Sequence, residues 1–69
     1  MEFRKIVGNN VLRCRIQKGL TQKQLAEKAD IDLSYLRKIE HGQANLSANV
    51  IDLLKEALEV PMEELILEH

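Results

Sequence analysis

Between Gly19 and Gly42 the chain carries two helix-length segments separated only by Asp30-Ile31-Asp32, each with its own start and stop signals. Two short helices must therefore meet at a tight turn. The first opens at Thr21, an N-cap residue, with Gln24 three positions on to complete a capping box and Leu20 placed as a staple. It covers about Gln22–Lys28, and its Leu25, Ala26 and Ala29 form a narrow stripe whose alanines let another helix approach closely. The second, about Leu33–Glu40, follows Asp32, whose short carboxylate suits an N-cap and the helix dipole, and Gly42 ends it. Advancing about 100° per residue from Leu36 turns Asp32, Ile39 and Glu40 inward. Ser34, Arg37 and Lys38 then form an outward polar and basic face, flanked by Leu33 and Tyr35.

Elsewhere apolar residues recur at three and four with no sustained alternation of period two, so the chain is expected to be all-α. A helix is predicted over about Asn9–Lys18, with Val11, Leu12, Arg15 and Ile16 on neighbouring faces and Gly19 just past its end. Ser47 is placed to cap a fourth helix, about Ala48–Leu58, in which Val50, Leu53, Leu54, Ala57 and Leu58 make the apolar face. Pro61 suits a helix first turn, so a short fifth helix is expected over about Pro61–Leu67, with Met62, Leu65 and Ile66 apolar. Five helices in 69 residues make one domain, 1–69. The paired helices occupy about residues 21–41 of it.

Composition narrows the function classes. Trp is absent and Tyr and Phe occur once each, so the core must be aliphatic. A chain this short buries only about 60% of the surface its unfolded form exposes, leaving little room to enclose a metabolite, and no catalytic role is expected. Ser34 and His41 have no evident pocket or mutual orientation that would make them a catalytic set. No His/Cys cluster suggests a metal, and no cofactor is expected. The single Cys14, without a disulfide partner, reads as a small, partly buried filler and favours a reducing, cytoplasmic setting. His41 reads as an exposed residue near a helix C-terminus. No apolar run approaches a membrane span and no leader is evident. Leu67-Glu68-His69 resembles the start of a cloning-vector histidine tag and is assigned no role, which excludes His69 as a ligand.

The net charge of −1 hides an asymmetry. Residues 1–42 hold nine Lys/Arg against five Asp/Glu, a balance of +4, and residues 43–69 hold one against six, a balance of −5. A polyanion would meet the N-terminal two-thirds. Alternatively, the mixed surface simply keeps a small domain in solution.

Two short helices at a tight turn, the second with an outward basic face, is the arrangement that places side chains in a DNA major groove. The run Arg15-Ile16-Gln17-Lys18-Gly19-Leu20-Thr21-Gln22-Lys23-Gln24-Leu25-Ala26, continued by Ser34-Tyr35-Leu36-Arg37-Lys38-Ile39-Glu40-His41-Gly42, resembles the helix-turn-helix domains of lambda-type repressors and Cro, the Cro/C1-type or XRE family. A weaker likeness continues through Leu58-Glu59-Val60-Pro61-Met62-Glu63-Glu64-Leu65, so the resemblance covers about residues 6–66. It implies a five-helix lambda-repressor-like fold and a duplex-DNA-binding transcriptional regulator, a repressor acting as a homodimer on an inverted repeat. Gln22 would hold a backbone phosphate at a helix N-terminus. Leu33, Ser34 and Lys38 would face base edges, with Tyr35 and Arg37 on phosphates at the groove walls. Gln43 and Asn45 would touch the backbone from the loop. Arg15 and Glu40 match a structural ion pair of the family.

The family usually has Gly where Asp30 stands, and Asp tolerates the left-handed conformation such a turn needs. Its phage members carry basic residues where this loop has Ala44, Asn45 and Leu46, so fewer phosphate contacts are expected. The Met62/Leu65/Ile66 stripe reads either as core or as a dimer contact. Two other settings stay open. One is an antitoxin-like or restriction–modification controller protein regulating its own operon, with a toxin or other regulator as partner. The other is a protein–protein interaction module that uses the acidic C-terminal helices.

Overall fold

The computed structural model describes residues 2–69, and among them every regular element is helical. The order is α1 (Phe3–Gln17), α2 (Gln22–Ala29), α3 (Leu33–Glu40), α4 (Ala48–Leu58) and α5 (Glu63–Ile66). No helix is long and apolar enough to cross a membrane among the described residues.

Caps and stops explain the middle of the chain. Thr21 Oγ1 accepts from the Gln24 amide at 3.0 Å and Gln24 Oε1 accepts from the Thr21 amide at 2.9 Å, closing the predicted capping box. Ser47 caps α4 by accepting from the Val50 amide at 3.1 Å. Asp32 occupies the N-cap of α3, but its carboxylate makes no capping bond and the residue is exposed rather than turned inward. The extended backbone at Asp32 is sufficient to start the helix.

Helices α1 to α4 all end the same way. In each, one residue takes a left-handed conformation: Gly19, Asp30, Gly42 and Glu59, with φ of 72°, 58°, 73° and 57°. The amide after it reaches back five residues, as in Leu20 to Arg15 at 3.1 Å and Ile31 to Ala26 at 3.0 Å. This doubly bonded stop satisfies carbonyls that the helix end would otherwise leave open. At Asp30 it delivers the tight turn in which the sequence lacks the usual glycine.

Helix α1 begins at Phe3, six residues before the predicted Asn9. Its start carries no side-chain cap, and Gly8-Asn9-Asn10 is a poor helix-forming run, so local signals are silent there. Packing decides instead. Val7, Val11 and Cys14 lie on one face and are at most 1% exposed. They join Leu25, Leu36, Ile39, Leu54, Leu58 and Leu65 in a fully buried aliphatic core, where each such side chain is worth roughly 1.5–3 kcal/mol relative to exposure. Ile16, placed by the helical period on a face neighbouring that of Val11 and Leu12, is 63% exposed. On α4, Ile51 joins the buried side with Leu54, Ala57 and Leu58, leaving Val50 and Leu53 half-buried.

Helix α3 packs on α1 and α2, α4 packs mainly on α2, and α5 packs on α1. Leu65 is 0% exposed, so it belongs to this chain's own core rather than to a contact with a second copy. Met62 and Ile66 are half-buried against the same core. The regular part of α5 is shorter than predicted, because Pro61 and Met62 form a turn with i+3 bonds at 3.0 and 2.9 Å before the helix closes. Asn10 fastens this C-terminal unit: its buried amide donates to the carbonyls of Leu65 and Leu67, both at 2.8 Å.

Candidate nucleic-acid interface

Burial divides α3 sharply. Leu36, Ile39 and Glu40 turn inward at 0%, 1% and 8% exposure, and Ser34, Arg37 and Lys38 stand exposed on the opposite side. Leu33 and Tyr35 are half-buried on the flanks and pack at the edge of the core. An eight-residue helix whose inner face is all hydrocarbon and one carboxylate is held rigidly, which leaves the outer side chains free to engage a ligand. Neither Arg37 nor Lys38 forms an ion pair with another described residue.

The buried carboxylate organises the inner end of this surface. Glu40 Oε2 accepts from Arg15 Nε at 2.7 Å, and Oε1 accepts from Arg15 Nη2 at 3.1 Å and from Gln22 Nε2 at 2.9 Å. Arg15 Nη1 also donates to the Leu20 carbonyl at 2.9 Å, so one guanidinium ties together α1, the turn before α2 and the end of α3. The two-pronged geometry is the strong form of a charge-assisted hydrogen bond. Gln22, assigned by resemblance to a phosphate, is half-buried at the start of α2 with one amide hydrogen committed to Glu40. Its other N–H and its amide oxygen have no hydrogen-bond partner among the described residues.

Beyond Gly42 the loop is also tied to α3. The Tyr35 hydroxyl donates to the Asn45 carbonyl at 2.6 Å, a contact that competes with any phosphate for that hydroxyl. Gln43 and Asn45 are exposed, whereas Ala44 is 4% exposed and anchors the loop to the core. The Gln22–Glu40 bond and the Tyr35–Asn45 bond both escaped sequence reasoning. Each joins residues that no periodicity relates, though the inward position of Glu40 was a usable sign that its carboxylate needed donors.

The remaining chemistry is sparse. Cys14 is 1% exposed, and burial pushes its thiol pKa above the ordinary range, which suppresses thiolate reactivity. His41 is exposed at the C-cap of α3. Among the described residues no group of three or more His, Cys, Asp or Glu could hold a metal.

A rigid helix displaying Ser, Arg and Lys, joined to a preceding helix by a left-handed turn, defines a helix-turn-helix domain. A helix-turn-helix family model (HTH_3) matches residues 11–65. The chain is 36% identical over 66 residues to the HTH-type transcriptional regulator y4dJ of Sinorhizobium fredii, covering 96% of this chain and 86% of that protein. It is also 36% identical over 60 residues to the immunity repressor protein of Bacillus phage phi105, covering 87% of this chain but 42% of the repressor. Among solved structures, the restriction-modification controller protein C.AhdI of Aeromonas hydrophila superposes with a TM-score of 0.86 at 35% identity, covering 90% of this chain and 94% of that one. The chain belongs to the Cro/C1-type (XRE) helix-turn-helix family of DNA-binding transcriptional regulators.

Proposed function

We propose that this chain binds a specific duplex-DNA operator as a homodimer and represses transcription from the cytoplasm by occluding a promoter. The observation that carries this reading is the outward face of α3: Ser34, Arg37 and Lys38 are exposed and unpaired by any described carboxylate, on a helix whose other face is fully buried. With α3 in the major groove, Lys38 suits the O6 and N7 acceptors of guanine, Ser34 suits either donor or acceptor edges, and Leu33 meets a thymine methyl. Arg37 reaches phosphate at the groove wall, Gln22 offers its second amide hydrogen at the α2 N-terminus, and Gln43 and Asn45 follow the backbone from the loop. Two copies related by a two-fold axis read half-sites about one helical turn apart. Met62 and Ile66, half-buried beside the C-terminal unit, are the part of the apolar stripe still open to a second copy.

Selection of bound duplexes from a random-sequence pool, followed by re-titration of the winner over a range of salt, tests this reading. Enrichment of an inverted repeat supports it. Absence of enrichment, with binding only at low salt, rejects it in favour of a protein-binding module.

A narrower setting is favoured by one observation. The likeness to a restriction-modification controller spans nearly the whole of both chains, so control of its own operon is a second reading. An enriched sequence that lies upstream of this chain's own reading frame supports autoregulation.

A further inference from the structure

The first two turns of α1 lie outside the residues matched by the family model, which begins at Val11. They carry Arg4 and Lys5, both exposed, and neither forms an ion pair or hydrogen bond through its side chain with another described residue. The other cations of α1 are engaged: Arg15 by Glu40 at 2.7 Å, and Arg13 by the Glu64 carbonyl at 3.2 Å and carboxylate at 3.5 Å.

Where these turns sit is decided by Gly8. A Cβ at Gly8 would overlap the Ile39 carbonyl oxygen and come within 3.2 Å of the Gly42 amide, so the helix there rests directly on the C-terminal end of α3. One turn earlier, the stem of Lys5 covers Gly42: a Cβ at Gly42 would lie 2.9 Å from Lys5 Cγ and 3.3 Å from its Cα. Immediately before Lys5, the residues Arg4, Phe3 and Glu2 line an open groove together with Asn45 and Leu46. The start of α1 is thus continuous with the loop that leaves α3. Glu2 is the one carboxylate on that rim.

We infer that Arg4 and Lys5 form a second phosphate-binding element, which grips the DNA backbone flanking the major groove that α3 enters. Charge complementarity selects the occupant, because Arg4 on the groove and Lys5 beside Gly42 outnumber Glu2 in this stretch, and both lie next to the loop that carries the exposed Gln43 and Asn45. The loop itself lacks cations, as Gln43-Ala44-Asn45-Leu46 shows, so the cations that this part of the surface presents to a polyanion come from α1. The inference rests on the proposed DNA-binding function and extends its footprint along the backbone beyond the loop that leaves α3.

The test compares the parent chain with the Arg4→Gln/Lys5→Gln double variant on two probes, the pool-selected duplex and a duplex of arbitrary sequence. Gln retains the methylenes that pack on Gly42, so the melting temperature should match the parent's. The slope of log affinity against log salt should become shallower by about 0.9 for each phosphate that is no longer neutralised, on both probes. Ethylation interference on the selected duplex should lose the signals of the phosphates gripped by Arg4 and Lys5 and keep those at the α2 N-terminus, where Gln22 sits. An Arg4→Lys/Lys5→Arg variant should keep the parent's slope, and an Arg4→Glu variant should lose more affinity than the Gln pair. A parent that binds with a slope the Gln pair leaves unchanged overturns this inference alone. A parent that binds neither probe overturns the proposed function and this inference with it.

Discussion

Arg15 and Glu40, 25 residues apart, meet in a two-pronged ion pair at 2.7 and 3.1 Å, with side chains only 14% and 3% exposed. The pair joins α1 to the last residue of α3, and Gln22 joins it from α2. Three helices therefore share one charge, and the orientation of α3 depends on its staying paired. Removing Arg15 alone strands a buried carboxylate, so Arg15→Ala should cost about 3–5 kcal/mol in denaturant unfolding and weaken DNA affinity in parallel. Replacing both members with apolar residues of similar size, Arg15→Met with Glu40→Leu, should cost less than Arg15→Ala. A melting temperature unmoved by Arg15→Ala would contradict the structural role.

Gly8 sets propensity against packing. Alanine in a helix interior is favoured over glycine by roughly 1 kcal/mol, so an exposed site would be stabilised by the change. Here the added methyl meets the Ile39 carbonyl, which is backbone and cannot swing aside. Gly8→Ala should therefore destabilise, by about 1–3 kcal/mol as overpacking does, and thermal melting reads the sign directly.

Asn10 holds the C-terminal unit through the carbonyls of Leu65 and Leu67. Asn10→Ala leaves those acceptors without their donor, at a cost of roughly 1–3 kcal/mol. Amide exchange of α5 should accelerate more than that of α3, because the Asn10 bonds restrain α5 locally.

Lys38 is exposed and bonds to no described side chain, so Lys38→Ala should leave the melting temperature unchanged. Against the selected operator it should cost about 1–3 kcal/mol and relax preference at one base position, measured by competition among singly substituted duplexes.

Cys14 adds a dependence on pH. Burial raises its thiol pKa in the folded chain above the unfolded value, so the folded state holds the proton more tightly. Stability is then undiminished below the unfolded thiol's pKa and falls as pH rises from there through the folded value. The unfolding free energy measured along an alkaline series should decline more steeply for the parent than for Cys14→Ala. At neutral pH a thiol reagent should label Cys14 only as fast as the chain opens.

Much of this protein could be read from neighbouring residues. Thr21 with Gln24, Ser47 before α4, and Gly19 and Gly42 after their helices act over three to five positions, so α3 and α4 have their predicted bounds and α2 differs by one residue. The helical period alone separated Ser34, Arg37 and Lys38 from Leu36, Ile39 and Glu40. The tertiary structure decided what those rules cannot reach. α1 starts at Phe3 because Val7 and Gly8 pack against distant residues, despite an uncapped start and a weak helix-forming run. Leu65 went to the core because α5 docks on α1, and one hydrogen of Gln22 went to Glu40 because a buried carboxylate must find donors wherever the fold supplies them. Local hydrogen bonds and side-chain periodicity are written into adjacent residues, whereas close approach and the satisfaction of buried charge exist only once separate helices meet.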